Sequence, residues 1–206
     1  DFLPDGRVKG DPFAQSVYIR MLFSCLVDAD FLDTERFMSN GTVQRDSGEC
    51  MEVLLDKLKD RISKWLVNRD DITVNGRRSE ILRNCLEQGK APKGLFQLTV
   101  PTGGGKTVAS LAFALQHAVE HHMDRVIYVI PYTSIIEQNA QVFREILGNE
   151  NVLENHSNVD YEISEDFKPM QLAAENWDKP VVVTTNVQFL NLCTLISHQN
   201  VENYII

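Results

Sequence analysis

Long apolar runs and paired cysteines are both missing from this 206-residue chain. No stretch approaches the roughly 20 apolar residues that a membrane helix requires, so we expect no membrane partner. The cysteines are scattered without C-x-x-C spacing, at Cys25, Cys50, Cys85 and Cys193. This pattern disfavours a zinc or redox motif and is typical of reduced, mostly buried thiols in a cytoplasmic protein.

Positive charge is also scarce, since the formal net charge is -9 at pH 7. Phosphate contacts need local lysine and arginine, so this balance excludes a generally basic coat for nucleic acid. It leaves open a motor that contacts its strand through backbone amides and hydroxyls in one groove. The opening DFLPDGRVKG has neither a methionine nor a signal-peptide pattern, which is typical of a piece of a longer protein.

The apolar periodicity changes along the chain. Helical spacing predicts helices over 16–40, 46–68 and 79–86, with a turn at Asn75-Gly76 between the last two. From Leu95 onward, short apolar runs alternate with helical patterns. The runs are LFQLTV (95–100), VIYVI (126–130), VVVT (181–184) and a possible fourth strand in NYII (203–206). The helical patterns cover 108–121, the stretch after Pro131 and 186–196. This alternation predicts an α/β fold with a parallel sheet buried on both faces.

A glycine-rich loop lies between the first of these runs and a helix, in LTVPTGGGKTVASL. Gly103, Gly104 and Gly105 let the backbone approach a phosphate without a Cβ in the way. Lys106, the candidate catalytic residue, supplies a charge for the outer phosphates, and Thr107 offers a hydroxyl to Mg²⁺. The strict P-loop pattern fails because Val100 stands at its first glycine position; P-T-G-x-G-K-T is instead the form of superfamily 2 helicases. The alternative is a glycine turn with a solvated lysine.

An Asp-Glu pair, which a P-loop motor needs for magnesium and water activation, does not follow any apolar run. The acids from Asp160 to Asp166 are most simply a solvated loop. NYII stands where a strand carrying the pair would begin, so we expect the sequence to stop just before it. The prediction for this chain alone is weak nucleotide binding and almost no hydrolysis.

Several segments together resemble the CRISPR-associated HD nuclease–helicase of type I systems, closest to the type I-C form. LFQLTVPTGGGKTVASLAFAL resembles motif I, VIYVIPYTSIIEQNAQVF motif Ia, ENHSN the segment after it, and VVVTTNVQFL the next strand and turn. NGRRSEILRNC resembles the helix upstream of the nucleotide, with Asn75 and Arg78 in matching positions. VYIRMLFSCLVDADFLDTE resembles the closing helix of the HD nuclease domain.

The resemblance implies two parts. Residues 1–68 would be the C-terminal helices of an HD nuclease domain and a connector. Residues 69–206 would be a partial first RecA-like helicase domain (motifs I, Ia and Ib/Ic), truncated before its Asp-Glu motif. The whole protein would be a prokaryotic enzyme that a crRNA-guided, Cascade-like surveillance complex recruits to opened DNA. It would nick the displaced strand and use ATP to reel in and degrade single-stranded DNA.

The same resemblance assigns site residues. ATP and Mg²⁺ would be held by Thr102, Gly103, Gly104, Gly105, Lys106 and Thr107. Single-stranded DNA would run along Tyr132, Thr133, Ser134, Gln138, Thr184, Thr185 and Gln188, because hydroxyls and amides at strand ends suit contacts that read no sequence. Asp30, preferred to Asp28, would be one ligand of a divalent transition metal in the HD site, whose identity and other ligands the sequence leaves open.

Three alternatives remain open at this stage. The chain could be a fragment of that nuclease–helicase, another superfamily 2 DNA motor such as a restriction translocase or a repair helicase, or a non-catalytic truncated module that binds nucleotide. A metal site at His117, His121 and His122 has no carboxylate or cysteine to complete it, and a solvated helix end explains these histidines better. Whether a protein inhibitor binds the chain is also left open.

Overall fold

The computed structural model of the chain describes residues 12–38, 47–67, 72–156, 177–189 and 204–205. Among these residues, no helix is both long and apolar enough to cross a membrane. The chain divides into two compact units, one of residues 1–45 and 186–201 and the other of residues 46–185 and 202–206. The predicted domain boundary at 68/69 stays a prediction.

The first unit contains helix α1, Pro12–Met38, and a short helical stretch at 186–189. The helix covers most of the predicted 16–40 region. Several of its large apolar side chains are exposed, namely Ile19, Leu22, Phe23, Leu26 and Phe37. The rest of the predicted 186–196 helix lies outside the described residues.

The described residues of the second unit include four α-helices: α2 Met51–Leu66, α3 Val74–Gln88, α4 Lys106–Glu120 and α5 Thr133–Leu147. Helix α2 buries Met51, Leu54, Leu55, Leu58 and Ile62 on one face, as the apolar spacing predicts. The predicted turn at Asn75-Gly76 is wrong, because both residues lie in the first turn of α3. The Thr73 side chain accepts a hydrogen bond from Gly76 N at 3.1 Å and so caps that helix.

The strands form one parallel sheet in the order β2-β3-β1-β4. They are β1 Arg125–Val129, β2 Val152–Asn155, β3 Val181–Thr184 and β4 Tyr204–Ile205. The register pairs Val126 with Val181, and β3 is buried along its whole length. The predicted α/β class and three of the predicted strands are confirmed, whereas β2 follows a short 3-10 helix (Asn149–Asn151) and has no counterpart among the predictions.

The core of this unit lies between the helices and the sheet. Helix α4 packs on β1, α5 packs on β2 and β3, and α2 packs against α3, α4 and α5. The largest fully buried side chains include Phe143, Leu111, Leu115, Ile136 and Leu147. Because the helices cover the strands, the carboxyl ends of β1 and β3 become the edge at which polar residues can meet a ligand.

The predicted first strand, residues 95–100, is not a strand in the structure. Leu95 is 102% exposed, and Phe96 and Leu98 are 40% and 42% exposed, while Val100 is buried. An apolar run becomes a strand only where a neighbour accepts its backbone hydrogen bonds. The described edge strand β4 has two residues, and residues 95–100 lead into the glycine loop without joining the described sheet.

Candidate functional site

The glycine loop is shaped by backbone conformations that only glycine adopts easily. Gly103 and Gly105 have φ values of +81° and +80°. The Gly104 N–H donates to the Pro101 carbonyl at 3.1 Å and closes a tight turn. A Cβ built on Gly104 would lie 2.3 Å from Val100 Cγ1 and 3.0 Å from Pro101 O. The loop therefore requires a glycine at each of its three glycine positions.

Helix α4 begins at this loop, and the backbone N–H groups of its first turn have no acceptor within the helix. Its N-cap is Gly105, which has no side chain to cap the helix, and the first helical hydrogen bond runs from Ala109 N to Gly105 O at 3.1 Å. The N–H groups of residues 106–108 consequently have no acceptor within the helix. They point out of the positive end of the helix dipole, next to the exposed Lys106. This arrangement fits the phosphates of a nucleotide.

Arg78 crosses from α3 to the loop and holds it. Its Nε donates to the Gly103 carbonyl at 2.8 Å, and its NH1 group donates to Asn75 Oδ1 at 3.3 Å. The side chain is exposed, so its guanidinium adds a second positive charge at the loop surface. Asn75 and Arg78 thus lie beside the loop, where the family resemblance expects the upstream helix.

Thr107 connects the loop to helix α5. Its hydroxyl donates to Asn139 Oδ1 at 3.1 Å, which leaves the oxygen lone pairs able to bind Mg²⁺. A second path runs to the sheet, because Tyr128 OH donates to Ser110 Oγ at 3.3 Å and Ser110 Oγ donates to Thr107 O at 3.1 Å. Burial raises the pKa of Tyr128, which therefore stays a neutral donor. Sequence reasoning missed Asn139, whose only signal is a polar residue beside the buried Ile136 and Ala140.

Most of the residues predicted to contact DNA lie at the carboxyl edge of the sheet. Tyr132, the N-cap of α5, is 66% exposed. Ser134 and Gln138 are exposed, and Thr133 is half-buried. The register places Val129 opposite Thr184, so the segments that follow β1 and β3 are neighbours. These are hydroxyls, an amide and one exposed aromatic ring along one edge.

Three of the residues predicted to contact DNA differ from this group. Thr184 is fully buried, and its hydroxyl donates to the Asn155 carbonyl at 2.8 Å, so it cannot reach a phosphate in this arrangement. Thr185, the next residue, is half-buried. Gln188 is half-buried and belongs to the first unit. Burial of Thr184 follows from its place at the end of β3, which lies between β2 and β1 in the sheet.

The predicted HD ligand lies on α1. Asp30 is exposed there, and the side chain of Asp28 lies outside the described part. Within the described ranges, the one group of side chains able to share a metal ion does not include Asp30. The assignment of Asp30 stays a prediction, and the acidic segment 160–166 lies outside the described residues.

The histidines of α4 hold the preceding turn rather than a metal or bulk solvent. His117 is buried, and its Nδ1 donates to the Gly89 carbonyl at 2.9 Å. His121 Nε2 donates to the Ala91 carbonyl at 2.8 Å, and its ring lies 4.2 Å from that of His117 between centroids. Burial lowers the pKa of His117. The prediction of a solvated helix end is wrong for His117, while His122 is exposed.

A second polar cluster at the end of β2 was also missed. Glu154 receives a hydrogen bond from Arg144 NH1 at 3.0 Å on Oε2, and its Oε1 lies 2.8 Å from His156 Nε2. Glu137 of α5 completes the group. The spacing Glu-x-His could have indicated it, since alternate residues at the end of a strand point to the same face.

Comparison with known proteins gives one match that spans most of the second unit. The family model described as "Type III restriction enzyme, res subunit" matches residues 56–205, from within α2 to β4. That span includes the glycine loop and the predicted DNA-facing edge. No curated protein matches the chain.

Proposed function

Because this chain belongs to the type III restriction enzyme res subunit family and carries its superfamily 2 helicase-like domain, we propose that it is the nucleotide-binding part of an ATP-dependent motor on single-stranded DNA. The observation that carries the proposal is the start of α4. Three backbone N–H groups without helical acceptors and the exposed Lys106 lie together at a loop into which no Cβ fits at Gly104.

Each residue has a definite task in this proposal. The amides at the start of α4 and the charge of Lys106 hold the phosphates, and Thr107 holds Mg²⁺ through its oxygen lone pairs. Thr102, just before the glycines, is exposed at the mouth of the loop. Hydrolysis of the bound ATP supplies the free energy for movement along DNA.

The link between nucleotide and DNA is the hydrogen bond from Thr107 to Asn139. Asn139 lies in α5, and the same helix begins beside Tyr132, Thr133 and Ser134, which we propose to contact the DNA backbone. Thr107, which would hold Mg²⁺, is therefore bonded directly to the helix whose first turn would contact the DNA strand. Thr185 belongs to the same edge, whereas buried Thr184 supports it through Asn155.

Two variants of the 206-residue chain test the nucleotide site and the DNA-contacting edge separately. Lys106→Ala should weaken binding of a fluorescent adenine nucleotide by about tenfold or more, since charge-assisted contacts are worth roughly 1.5–3 kcal/mol. It should leave binding of a labelled single-stranded oligonucleotide unchanged. Tyr132→Ala should weaken binding of the oligonucleotide and leave nucleotide binding unchanged, because stacking on an aromatic ring is worth about 1–3 kcal/mol per base.

The controls are Lys64→Ala and Trp65→Ala, an exposed lysine and an exposed aromatic residue of α2. Both should bind nucleotide and oligonucleotide like the unchanged chain. If Lys106→Ala and Lys64→Ala bind nucleotide equally well, the glycine loop is not the phosphate site. If Tyr132→Ala binds DNA normally, the edge at α5 is not the DNA track.

At a finer level we propose the CRISPR-associated nuclease–helicase function, with single-stranded DNA and a crRNA-guided surveillance complex as partners. The support is the resemblance of the segments from motif I to the turn after β3, together with the VDAD helix upstream. The competing candidate is a restriction translocase, which the family match favours. The two differ in whether Asp30 serves a metal-dependent nuclease.

The full-length gene product separates these two candidates. Under the CRISPR proposal, Asp30→Ala should abolish metal-dependent nicking of single-stranded DNA and leave DNA-stimulated ATPase intact. Asp33→Ala, another exposed carboxylate of α1, is the matched control and should keep both activities. Equal nicking by the two variants would reject the HD assignment and favour the restriction translocase.

A further inference from the structure

Three side chains that the proposed nucleotide and DNA sites do not use converge at the carboxyl end of β2. Ligand atoms of Glu137, Glu154 and His156 all lie within 4.8 Å of one another. Glu137 comes from α5, Glu154 from β2 and His156 from the residue just after that strand. Over the part of the chain that the structure describes, this is the one such group.

We propose that Glu137, Glu154 and His156 form a binding site for a divalent transition metal ion, with Zn²⁺ as the reference ion. One imidazole nitrogen and two carboxylates are a ligand set that zinc accepts, and three protein ligands leave a fourth position for water. The imidazole favours transition metals over Mg²⁺, which prefers oxygen ligands and retains its water. The site is therefore distinct in chemistry from the magnesium position at Thr107.

The ligands are already oriented by their neighbours. Arg144 binds Oε2 of Glu154 at 3.0 Å, so the other oxygen, Oε1, is turned toward His156 Nε2 at 2.8 Å. The His156 side chain is 2% exposed and that of Glu154 13% exposed, so neither is free to move far. The Arg144 contact plays the part that a supporting hydrogen bond plays behind a metal-bound carboxylate.

The spacing between His156 and Glu154 needs only a small adjustment for a metal ion. Two ligand atoms at about 2.0–2.1 Å from a tetrahedral zinc ion are roughly 3.3 Å apart. The present Nε2 to Oε1 separation of 2.8 Å would have to open by about half an ångström, as the ion takes the place of the shared proton. The displaced proton passes to the solvent, because a metal-bound imidazole nitrogen carries no proton.

The charges around the three side chains also favour a bound cation. Glu137 and Glu154 bring two negative charges, Arg144 returns one positive charge, and the neighbouring Glu145 adds a further exposed carboxylate on the same depression. Glu137 lies in α5 between Ser134 and Gln138, both predicted DNA contacts. A bound ion would thus fasten the first half of α5 to the end of β2.

The experiment uses the reduced 206-residue chain, stripped with a chelator, and adds Zn²⁺ or Co²⁺ alone. We expect one equivalent to bind by calorimetry and to raise the thermal midpoint, with Co²⁺ giving the visible absorption of a tetrahedral nitrogen–oxygen site. Glu137→Gln should weaken binding about tenfold or more, comparable to losses seen when metal sites are perturbed. Because Glu137 is exposed, this variant should remain folded.

Glu145→Gln is the matched control, since it removes an exposed carboxylate from the same helix and depression but not from the ligand set. It should bind Zn²⁺ like the unchanged chain. His156→Asn, which keeps a polar side chain at the buried position, should abolish the cobalt spectrum. Equal affinity of Glu137→Gln and Glu145→Gln, or an intense thiolate-to-cobalt band showing cysteine ligation, would overturn the proposal, as would the absence of stoichiometric binding.

Discussion

At the scale of single residues, the middle glycine of the loop, Gly104, is explained by Val100. A valine occupies the position where the strict P-loop has its first glycine, and its Cγ1 would lie 2.3 Å from a Cβ on Gly104. Val100 is buried, so it cannot swing out of the way without exposing apolar surface. The glycine at 104 therefore compensates for the branched side chain four residues earlier.

Gly104→Ala should lower nucleotide affinity at least severalfold and stability by about 1–3 kcal/mol, the usual cost of forcing an extra methyl group into a packed site. The backbone of Gly104 lies outside the positive-φ region, so the effect is steric. Calorimetry with ADP and urea denaturation measure the two quantities.

Gly94→Ala is the matched control, because the nearest atom to its added Cβ is Pro92 O at 3.9 Å. It should change neither quantity. Adding Val100→Ala to Gly104→Ala removes the clashing methyl group and should restore part of the nucleotide affinity. If the double variant binds no better than Gly104→Ala, the contact between residues 100 and 104 does not shape the loop.

At the scale of elements, α4 is fixed at both ends by different chemistry. Its first turn follows the glycine loop. At the other end, His117 in the last turn and His121 at the C-cap donate to the carbonyls of Gly89 and Ala91, which lie after α3. Phe113 stacks on His117 with ring centroids 5.4 Å apart. The turn that leads from α3 toward the loop is thus held by two imidazoles.

Acidification should destabilise the chain through His117. Burial lowers its folded pKa from the usual 6.5, so the unfolded chain binds the proton more readily. The stabilising contribution is complete above pH 6.5 and is lost progressively as pH falls through the folded pKa. The hydrogen bond to the Gly89 carbonyl opposes this lowering of the pKa, as does Glu120, whereas His121 and Lys93 add to it.

Denaturation midpoints measured between acidic and neutral pH test this dependence. His117→Gln should make stability less dependent on pH between acidic and neutral pH. It should also lower stability at neutral pH, because the donor to the Gly89 carbonyl is altered. His122→Gln, at an exposed position, should keep the profile of the unchanged chain. An unchanged pH profile in His117→Gln would show that another group causes the acid sensitivity.

At the scale of the whole molecule, one buried amide joins distant parts of the second unit. Asn151 is fully buried; its Nδ2 donates to Leu147 O and to Glu49 Oε2, each at 2.8 Å, and its Oδ1 accepts from Glu49 N at 2.8 Å. Lys57 of α2 also pairs with Glu49 and lowers the pKa of that carboxyl. The segment before α2 is thereby tied to the turn before β2.

Asn151→Ala should lower the free energy of unfolding by roughly 2–4 kcal/mol, since it leaves several buried partners without hydrogen bonds. Asn149→Ala, at an exposed position of the same 3-10 helix, should cost much less. Urea denaturation compares the two. Equal losses would mean that the turn itself, and not the amide, carries the stability.

Sequence reasoning succeeded where the chemistry is local and failed where it depends on a neighbour. The loop at Gly103–Thr107 and the strands at 126–130 and 181–184 are specified by their own residues, and the structure contains them. Residues 95–100 have the composition of a strand but no pairing partner among the described residues. Thr184 and Asn139 likewise owe their roles to partners 29 and 32 residues away, which no local pattern reveals.

The parallel pairing of β1 with β3 also dictates the timing of assembly. Val126 meets Val181, so β1 must wait until the ribosome has delivered the entire stretch between them. At the usual synthesis rate of about 5–20 residues per second, that delay lasts several seconds. During this delay, the apolar face of α5 and the unpaired edge of β1 are exposed on the nascent chain and can aggregate. A chaperone that binds the nascent chain should therefore act mainly in this interval.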